Sequence, residues 1–189
     1  MNETEQYICE SIKVWVWSGF YNLDEIMHMA NDILEEDTDV DVLMQYARNE
    51  LAQKKVAEQS WLQITDCDRL NAAFDELNAL GIIALHNTGY TMSDGHEDVG
   101  DVLRSIDRSK INIKGYCFYH GQDLERAVNS MELALAYGDL KAIDEKKVEV
   151  GKEIVAVLTK HGLKCKWNKK PDVRISLPNI QWQRRSTET

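Results

Sequence analysis

Two short polar segments contain the residue types in this chain that could do chemistry. One is 120–123, which follows an apolar run typical of a strand, and the other is 89–96, which begins in a glycine-bracketed loop. A histidine near a carboxylate can act as a general base or a metal ligand, and loops position such groups well. If the two preceding strands are neighbours, we expect both segments to converge on one ligand pocket, formed by Tyr90, Asp94, His96, His120 and Asp123.

Both segments also have an ordinary structural interpretation. Gln122 or Asp123 is well placed to cap a following helix, with His120 packing or hydrogen bonding locally. In the other segment, Ser93 and Asp94 are typical turn residues that bond to nearby backbone groups. The residue pattern favours these structural roles over catalysis.

The cysteines and histidines show zinc-like spacing without supporting a zinc site. Two residues separate Cys117 from His120, and three separate His161 from Cys165. In an extended strand Cys117 and His120 fall on opposite faces because side chains alternate, which opposes a tetrahedral site. We therefore predict no metal and no cofactor.

The run Asp37, Asp39 and Asp41 matches the opening of a calcium-binding loop but not its remainder. Val42 stands where the loop needs glycine, and Arg48 stands where it needs a bidentate glutamate. Asp39 is better explained as a helix cap. The sequence also lacks a complete nucleophile-elbow, phosphate-loop or dinucleotide motif, so we favour a role other than catalysis.

The charge is divided unevenly along the chain. Residues 1–109 carry 22 Asp and Glu against 7 Lys and Arg, whereas residues 110–189 carry 10 against 15. Such an asymmetry points away from nucleic acid and toward a basic protein partner. Our leading hypothesis is an immunity-type protein that neutralises a basic toxin domain through an acidic helix–helix connection, formed by Glu35, Glu36, Asp37, Asp39 and Asp41. A solvated connection with capping roles explains the same cluster equally well.

The hydrophobic pattern predicts an α+β fold. Helical periodicity fills 1–81, with Asn22 and Glu25 at one helix start and Gly19 at one helix end. We then expect a polar loop at 87–95, helices at 97–107 and 145–162, one or two helical turns at 123–130, and strands at 82–86, 111–120, 132–138, 163–167 and 173–177. This order predicts a helical layer followed by a small mixed sheet of four to five strands. With no linker-like stretch, 1–189 is predicted to be a single domain, with a helical part at 1–81 and an α/β part at 82–189.

The compartment is inferred from what the sequence contains. The longest early apolar run is far shorter than the ~20 residues of a membrane span, and the start of the chain does not resemble a secretory signal. The four cysteines are widely spread, which is typical of reduced thiols. We expect a cytoplasmic protein with no membrane partner, and the oligomeric state is left open.

Several sequence blocks together resemble an uncharacterised family of bacterial domains of unknown function. These blocks lie at 65–82, 89–95, 115–123, 132–138, 163–167 and 182–185. Some relatives carry a cluster of Cys and His where this chain has Tyr90, Thr91 and Asp94, and only His96 remains here. The resemblance implies the fold and a bacterial origin, and it implies neither a metal role nor an activity.

Overall fold

The computed structural model describes residues 2–35, 38–107 and 112–186. This described part contains seven α-helices and four β-strands, which confirms the predicted α+β fold with a small mixed sheet. The helices are α1 Glu3–Ser18, α2 Leu23–Asn31, α3 Val40–Glu58, α4 Asp66–Ala79, α5 Met92–Ser105, α6 Gly121–Ser130 and α7 Asp144–Lys160. The strands are β1 Ile82–Leu85, β2 Gly115–Phe118, β3 Glu132–Asp139 and β4 Ile175–Pro178. Among the described residues, no helix combines the length and apolarity needed to cross a membrane.

The chain forms two compact units, and the first is helical. This helical unit comprises residues 1–65 and 182–189. The predicted capping box of Asn22 and Glu25 starts α2, a second box formed by Asn2 and Glu5 starts α1, and α1 ends at Gly19 in a left-handed conformation. The helices bury one shared apolar core, formed by Ile8, Cys9, Ile12, Val16, Ile26, Ala30, Leu43 and Ala47.

The second unit, the sheet unit, comprises residues 66–181. Its strands lie in the order β1-β2-β3-β4, with β1 and β2 parallel and the other pairs antiparallel. In β2, Gly115 lies against Val150 of α7, whereas Phe118 lies against Gly95 of α5. Because alternate residues of a strand face opposite sides, α5 and α7 cover opposite faces of the sheet.

The boundary between the two units lies before α4 rather than at residue 81. α4 packs on β1 and on α7, so this helix belongs to the sheet unit. The last described residues belong to the helical unit, where the Trp182 indole donates to the Ser18 carbonyl at 3.1 Å. A single domain over 1–189 stays a prediction.

The expected loop at 87–95 is too long, because α5 already begins at Met92. Thr91 and Asp94 form a capping box at its start, and the buried Gly95 lets the helix approach the Phe118 ring closely. Glycine lowers helix propensity, which concealed this first turn in the sequence pattern. Asp94 and His96 are therefore helical residues, and Tyr90 alone of the three lies in the loop.

Two predicted strands are also corrected. The segment 163–167 is not a strand, since it meets β4 only through the isolated bridge between Lys166 and Ser176. Its alternating pattern resembles a strand, but a ladder also needs a partner in register. The predicted strand at 111–120 is shorter, because only Gly115–Phe118 pair with neighbours; residue 111 lies outside the described residues.

Gly95 and Gly100 of α5 provide a matched test of this packing. A methyl group at Gly95 would overlap the Phe118 ring, so Gly95→Ala should destabilise the protein by about 1–3 kcal/mol despite its better helix propensity. At Gly100 the nearest atom is the mobile Arg104 Nη1 at 3.2 Å, so Gly100→Ala should stabilise by about 0.5–1 kcal/mol. Urea unfolding of both variants measures the difference, and equal effects would contradict the close approach.

Candidate functional site

The two sequence segments nominated for chemistry do meet in the sheet unit. β1 and β2 are parallel, so their carboxyl ends lie at the same edge of the sheet. Backbone hydrogen bonds then join the segments, from Gly121 N to the Gly89 oxygen at 2.9 Å and from Thr88 N to the Tyr119 oxygen at 3.0 Å. This strand-end site contains Tyr90, Asp94, His120 and Asp123.

Asp123 is the most constrained residue of the strand-end site, with 0% of its surface exposed. Both terminal nitrogens of Arg174 donate hydrogen bonds to the Asp123 carboxylate, one of them at 3.0 Å. Arg126 donates a further hydrogen bond to the same carboxylate. The same Arg174 also donates to the carbonyl of Ala134 in β3. One buried carboxylate therefore ties α6 to β3 and to the residue just before β4.

His120 sits at the start of α6, 3% exposed, beside the same carboxylate. Its Nε2 lies 3.2 Å from Asp123 Oδ2, and its backbone N–H donates to that oxygen at 3.4 Å. Burial lowers the pKa of His120, while Asp123 opposes that shift. Within the described part of the chain its buried Nδ1 has no hydrogen-bond partner. A neutral imidazole that donates through Nε2 would keep Nδ1 as a free base.

Asp94 and Tyr90 are held by local contacts. The Asp94 carboxylate accepts the backbone N–H groups of Thr91 at 2.8 Å and Tyr90 at 3.2 Å, and these bonds lower its pKa. Tyr90 is 54% exposed and donates its hydroxyl to Glu125 at 3.0 Å. Both side chains thus join the loop to the starts of α5 and α6.

His96 lies farther along α5 and contacts the sheet instead. Its ring meets Tyr116 and Phe118 edge-on, with centroid distances of 5.6 and 5.1 Å. Burial, and to a smaller extent the charge of Lys147, lowers its pKa. Asp94 and Asp123 act as helix-start groups, as the structural interpretation expected, and use of the five residues as a ligand pocket stays a prediction.

The predicted acidic connection is described only in part. Glu36 and Asp37 lie outside the described residues. Asp39 caps α3 by accepting the N–H of Asp41 at 3.0 Å, and Glu35 accepts the hydroxyl of Thr4 at 3.0 Å. Glu35, Asp39 and Asp41 are all exposed, so their charge is available at the surface of the helical unit even where one oxygen is engaged.

The described residues contain no group of three or more His, Cys, Asp or Glu that could hold a metal ion, and the absence of a metal stays a prediction. Cys117 is fully buried, and burial raises the pKa of its thiol, which disfavours the reactive thiolate.

Sequence reasoning missed both arginines of the strand-end site. Arg126 follows Asp123 by three residues in the helix, a spacing that brings side chains together and could have identified it. Arg174 is 51 residues away, and only the packing of β3 against β4 brings it to Asp123. No sequence signal pointed to that pair.

Asp123→Asn tests the role of the buried carboxylate. Removing its charge leaves Arg174 without its counter-ion, so unfolding free energy should fall by about 3–5 kcal/mol. The control Glu125→Gln keeps an acceptor for Tyr90 on the same helix and should cost less than about 1 kcal/mol. Urea titration of both variants measures the two losses in unfolding free energy. Similar small losses would show that the Asp123 carboxylate does not anchor this unit.

The pH dependence of stability tests the buried His120. Its pKa is below the ordinary 6.5, so the unfolded chain takes up a proton that the folded protein resists as pH falls below 6.5. Stability should therefore decline from pH 7.5 to pH 5.5, by an amount that His120→Gln reduces. His96 has the same sign, so His96→Gln is measured in parallel. An unchanged slope in His120→Gln would contradict the buried neutral state.

Comparison with known proteins identifies one family, whose model covers nearly the whole chain. No curated protein and no solved structure matches it. A family model described as a domain of unknown function, DUF6891, matches residues 1–186, in agreement with the resemblance to an uncharacterised family. Because the match spans nearly the full sequence, the chain belongs to the DUF6891 family.

Proposed function

We propose that the helical unit is a protein-binding module for a basic partner. The observation that carries this proposal is the concentration of acidic charge in that unit. Its sequence holds 14 Asp and Glu against 6 Lys and Arg, whereas the sheet unit holds 18 against 16. A field of one sign speeds the encounter with an oppositely charged surface.

The acidic side chains of the helical unit are exposed rather than used in its interior. Eight of them are exposed among the described residues, namely Glu3, Glu10, Asp24, Glu25, Asp32, Glu35, Asp39 and Asp41. The exposed cations of the same unit number four in that part, namely Lys13, Arg48, Lys55 and Arg185. Most of the negative charge is therefore presented to solvent and to any partner.

Exposed apolar side chains lie within this acidic surface. Tyr7 is 61% exposed and shares a helix face with Glu3 and Glu10, one turn away on either side. Val40 and Val42 are 46% and 42% exposed and flank Asp41. Apolar contacts surrounded by charge are typical of protein interfaces, which supports protein binding over a merely solvated surface.

The narrower form of the proposal is an immunity protein. The acidic surface would occupy the substrate cleft of a basic toxin domain, such as a nuclease, because such a cleft attracts phosphates and carboxylates alike. This role belongs in a bacterial cytoplasm, where the toxin would otherwise act on its producer.

A second candidate function uses the strand-end site. The observation that favours it is the convergence of 89–96 with 120–123 around His120, whose buried Nδ1 has no hydrogen-bond partner among the described residues. That site could bind a small ligand or catalyse a proton transfer if the loop carrying Tyr90 opened.

Charge-neutralised variants test the protein-binding proposal. In one variant Glu3, Glu10 and Glu35 become Gln and Asp41 becomes Asn, while Asp39 is kept because it caps α3. The matched control neutralises four exposed carboxylates of the sheet unit, namely Asp75, Glu97, Asp101 and Glu149. Binding to a basic protein recovered from the host should weaken at least about tenfold, or 1.4 kcal/mol, in the first variant only.

Salt and toxicity complete this test. Raising salt from about 50 to about 150 mM should weaken the complex, because the Debye length shortens and the attraction between the two charged surfaces is screened more strongly. Rescue of cells that express the recovered partner supports the immunity form. An acidic partner, salt-independent binding, or equal loss in both variants would overturn the proposal.

A further inference from the structure

A segment beside β4 leaves backbone hydrogen-bonding groups unused. Residues 163–167, which we call the outer segment, meet β4 where Lys166 and Ser176 exchange backbone hydrogen bonds of 2.8 and 3.1 Å. Because the hydrogen-bonding groups of an extended chain alternate in direction, those of Cys165 and Trp167 point away from β4. Neither residue makes a backbone hydrogen bond within the described chain. The outer segment is therefore an open edge of the sheet unit.

The other edge of the sheet is closed by the chain itself. β1 lies at that edge, and the Asn78 side chain accepts the Ala84 N–H at 2.9 Å and donates to the Ala84 carbonyl at 3.1 Å. The Asn78 amide thus takes the place of a neighbouring strand. Ile82 and Ala84 are also buried. A further strand could join at the outer segment but not at β1.

The outer segment is held in place by the side chains on one of its faces. The Trp167 indole donates to the Val173 carbonyl at 3.1 Å, and its ring meets the Tyr137 ring edge-on, with centroids 5.5 Å apart. Thr159 of α7 forms a hydrogen bond with the Cys165 sulfur. Because these contacts order the segment in advance, little conformational freedom is lost when a peptide pairs with it.

The other face of the outer segment is basic. Lys164 and Lys166 alternate with the two anchored residues and are exposed, and neither forms an ion pair with a residue that the structure describes. The turn that follows continues this charge, since residues 163–173 hold four lysines and one aspartate. The open edge is therefore positively charged.

Neighbouring carboxylates keep their charges but do not cancel the charge of this edge. Glu132 belongs to β3, so a strand added at the outer segment would lie about 14 Å from the Glu132 backbone and about 5 Å from that of Lys166. Charges are screened over about 8 Å at physiological salt, which makes the lysines the stronger influence. Asp66 lines one cleft with Lys164 and is paired with Arg69 at 3.2 Å.

We propose that the outer segment binds an acidic peptide segment by β-strand addition. Backbone hydrogen bonds to Cys165 and Trp167 supply affinity, and side chains at alternate peptide positions supply specificity. Carboxylates on one face of the peptide meet the two lysines, because cross-strand neighbours lie about 5 Å apart. Pairing with the same edge of a second copy is disfavoured, since lysines would then lie close to lysines.

An acidic peptide and two variants of it test the proposal on the full chain. The acidic probe is acetyl-Thr-Glu-Val-Glu-Val-Glu-Thr-amide. In an antiparallel pairing its central Glu falls opposite Lys166, and its two Val residues fall opposite Cys165 and Trp167. The glutamine variant replaces each Glu by Gln, which removes the charge. The N-methyl variant carries a methyl group on both Val nitrogens, which removes two backbone donors and keeps the charge.

Two-dimensional amide NMR spectra measure the binding of each peptide. The acidic probe should shift the Cys165 and Trp167 signals with a Kd of about 1 mM or tighter. The same two amide protons should exchange more slowly with solvent, because they become hydrogen-bonded. The glutamine and N-methyl variants should each bind at least about fivefold more weakly, a loss of about 1 kcal/mol.

A double variant of the protein tests the two lysines. Lys164→Gln with Lys166→Gln removes both charges and keeps the backbone, so affinity for the acidic probe should fall at least about fivefold. The matched control, Lys141→Gln with Lys152→Gln, neutralises two exposed lysines of the same unit and should bind as the wild type does. Amide signals far from each substitution should stay unchanged, which shows that both variants fold.

Several outcomes would overturn the proposal. Full affinity of the N-methyl variant would show attraction by charge alone, without strand addition. Full affinity of the glutamine variant or of the double variant, shifts confined to other residues, or no shift up to about 10 mM, ten times the expected Kd, would overturn it as well. Tighter binding of oligouridylate to the same residues would assign this edge to nucleic acid instead. None of these results bears on the acidic helical unit, whose test uses different residues and a basic partner.

Discussion

The sheet unit depends on keeping one buried carboxylate paired. Asp123 is removed from water, and an unpaired charge in that position would cost several kcal/mol. Arg174 and Arg126 supply the compensation, and the Arg174 fork reaches Ala134 of β3 at the same time. Satisfying this single charge therefore fixes the start of α6, the middle of the sheet and the entry to β4 together.

The carboxyl ends of parallel strands commonly carry active sites, yet here they are filled by the protein's own polar groups. Asp94 and Asp123 accept the backbone donors that open α5 and α6, and the Tyr90 ring lies against Gly121. Groups engaged in this way are strongly held but have little capacity left for a substrate. Unbalanced charge is found instead on the exposed faces of the helical unit, where we propose that a partner binds.

Features that depend on nearby residues could be predicted from the sequence. The capping box of Asn22 and Glu25 needs only a spacing of three residues, and the helix end at Gly19 needs only one left-handed position. The start of α5 could not be predicted, because glycine has a low helix propensity. Gly95 is needed there because a larger residue would overlap the Phe118 ring. The candidate site shows the same division. His120 and Asp123 are three residues apart, so their proximity could be predicted from the sequence. Arg174 is distant in sequence and reaches Asp123 only after β3 and β4 have paired.

The charge asymmetry is located differently when charges are counted by structural unit rather than along the sequence. Along the sequence it appears as an acidic segment up to residue 109 followed by a basic one, but the acidic residues of α5 belong to the sheet unit together with the basic residues that follow. The sheet unit is therefore nearly neutral, and the strong field comes from the helical unit. Exposed carboxylates of the helical unit act over a distance and are screened by salt. This distribution is the reason why we propose the helical unit, rather than the sheet unit, as the surface that meets a basic partner.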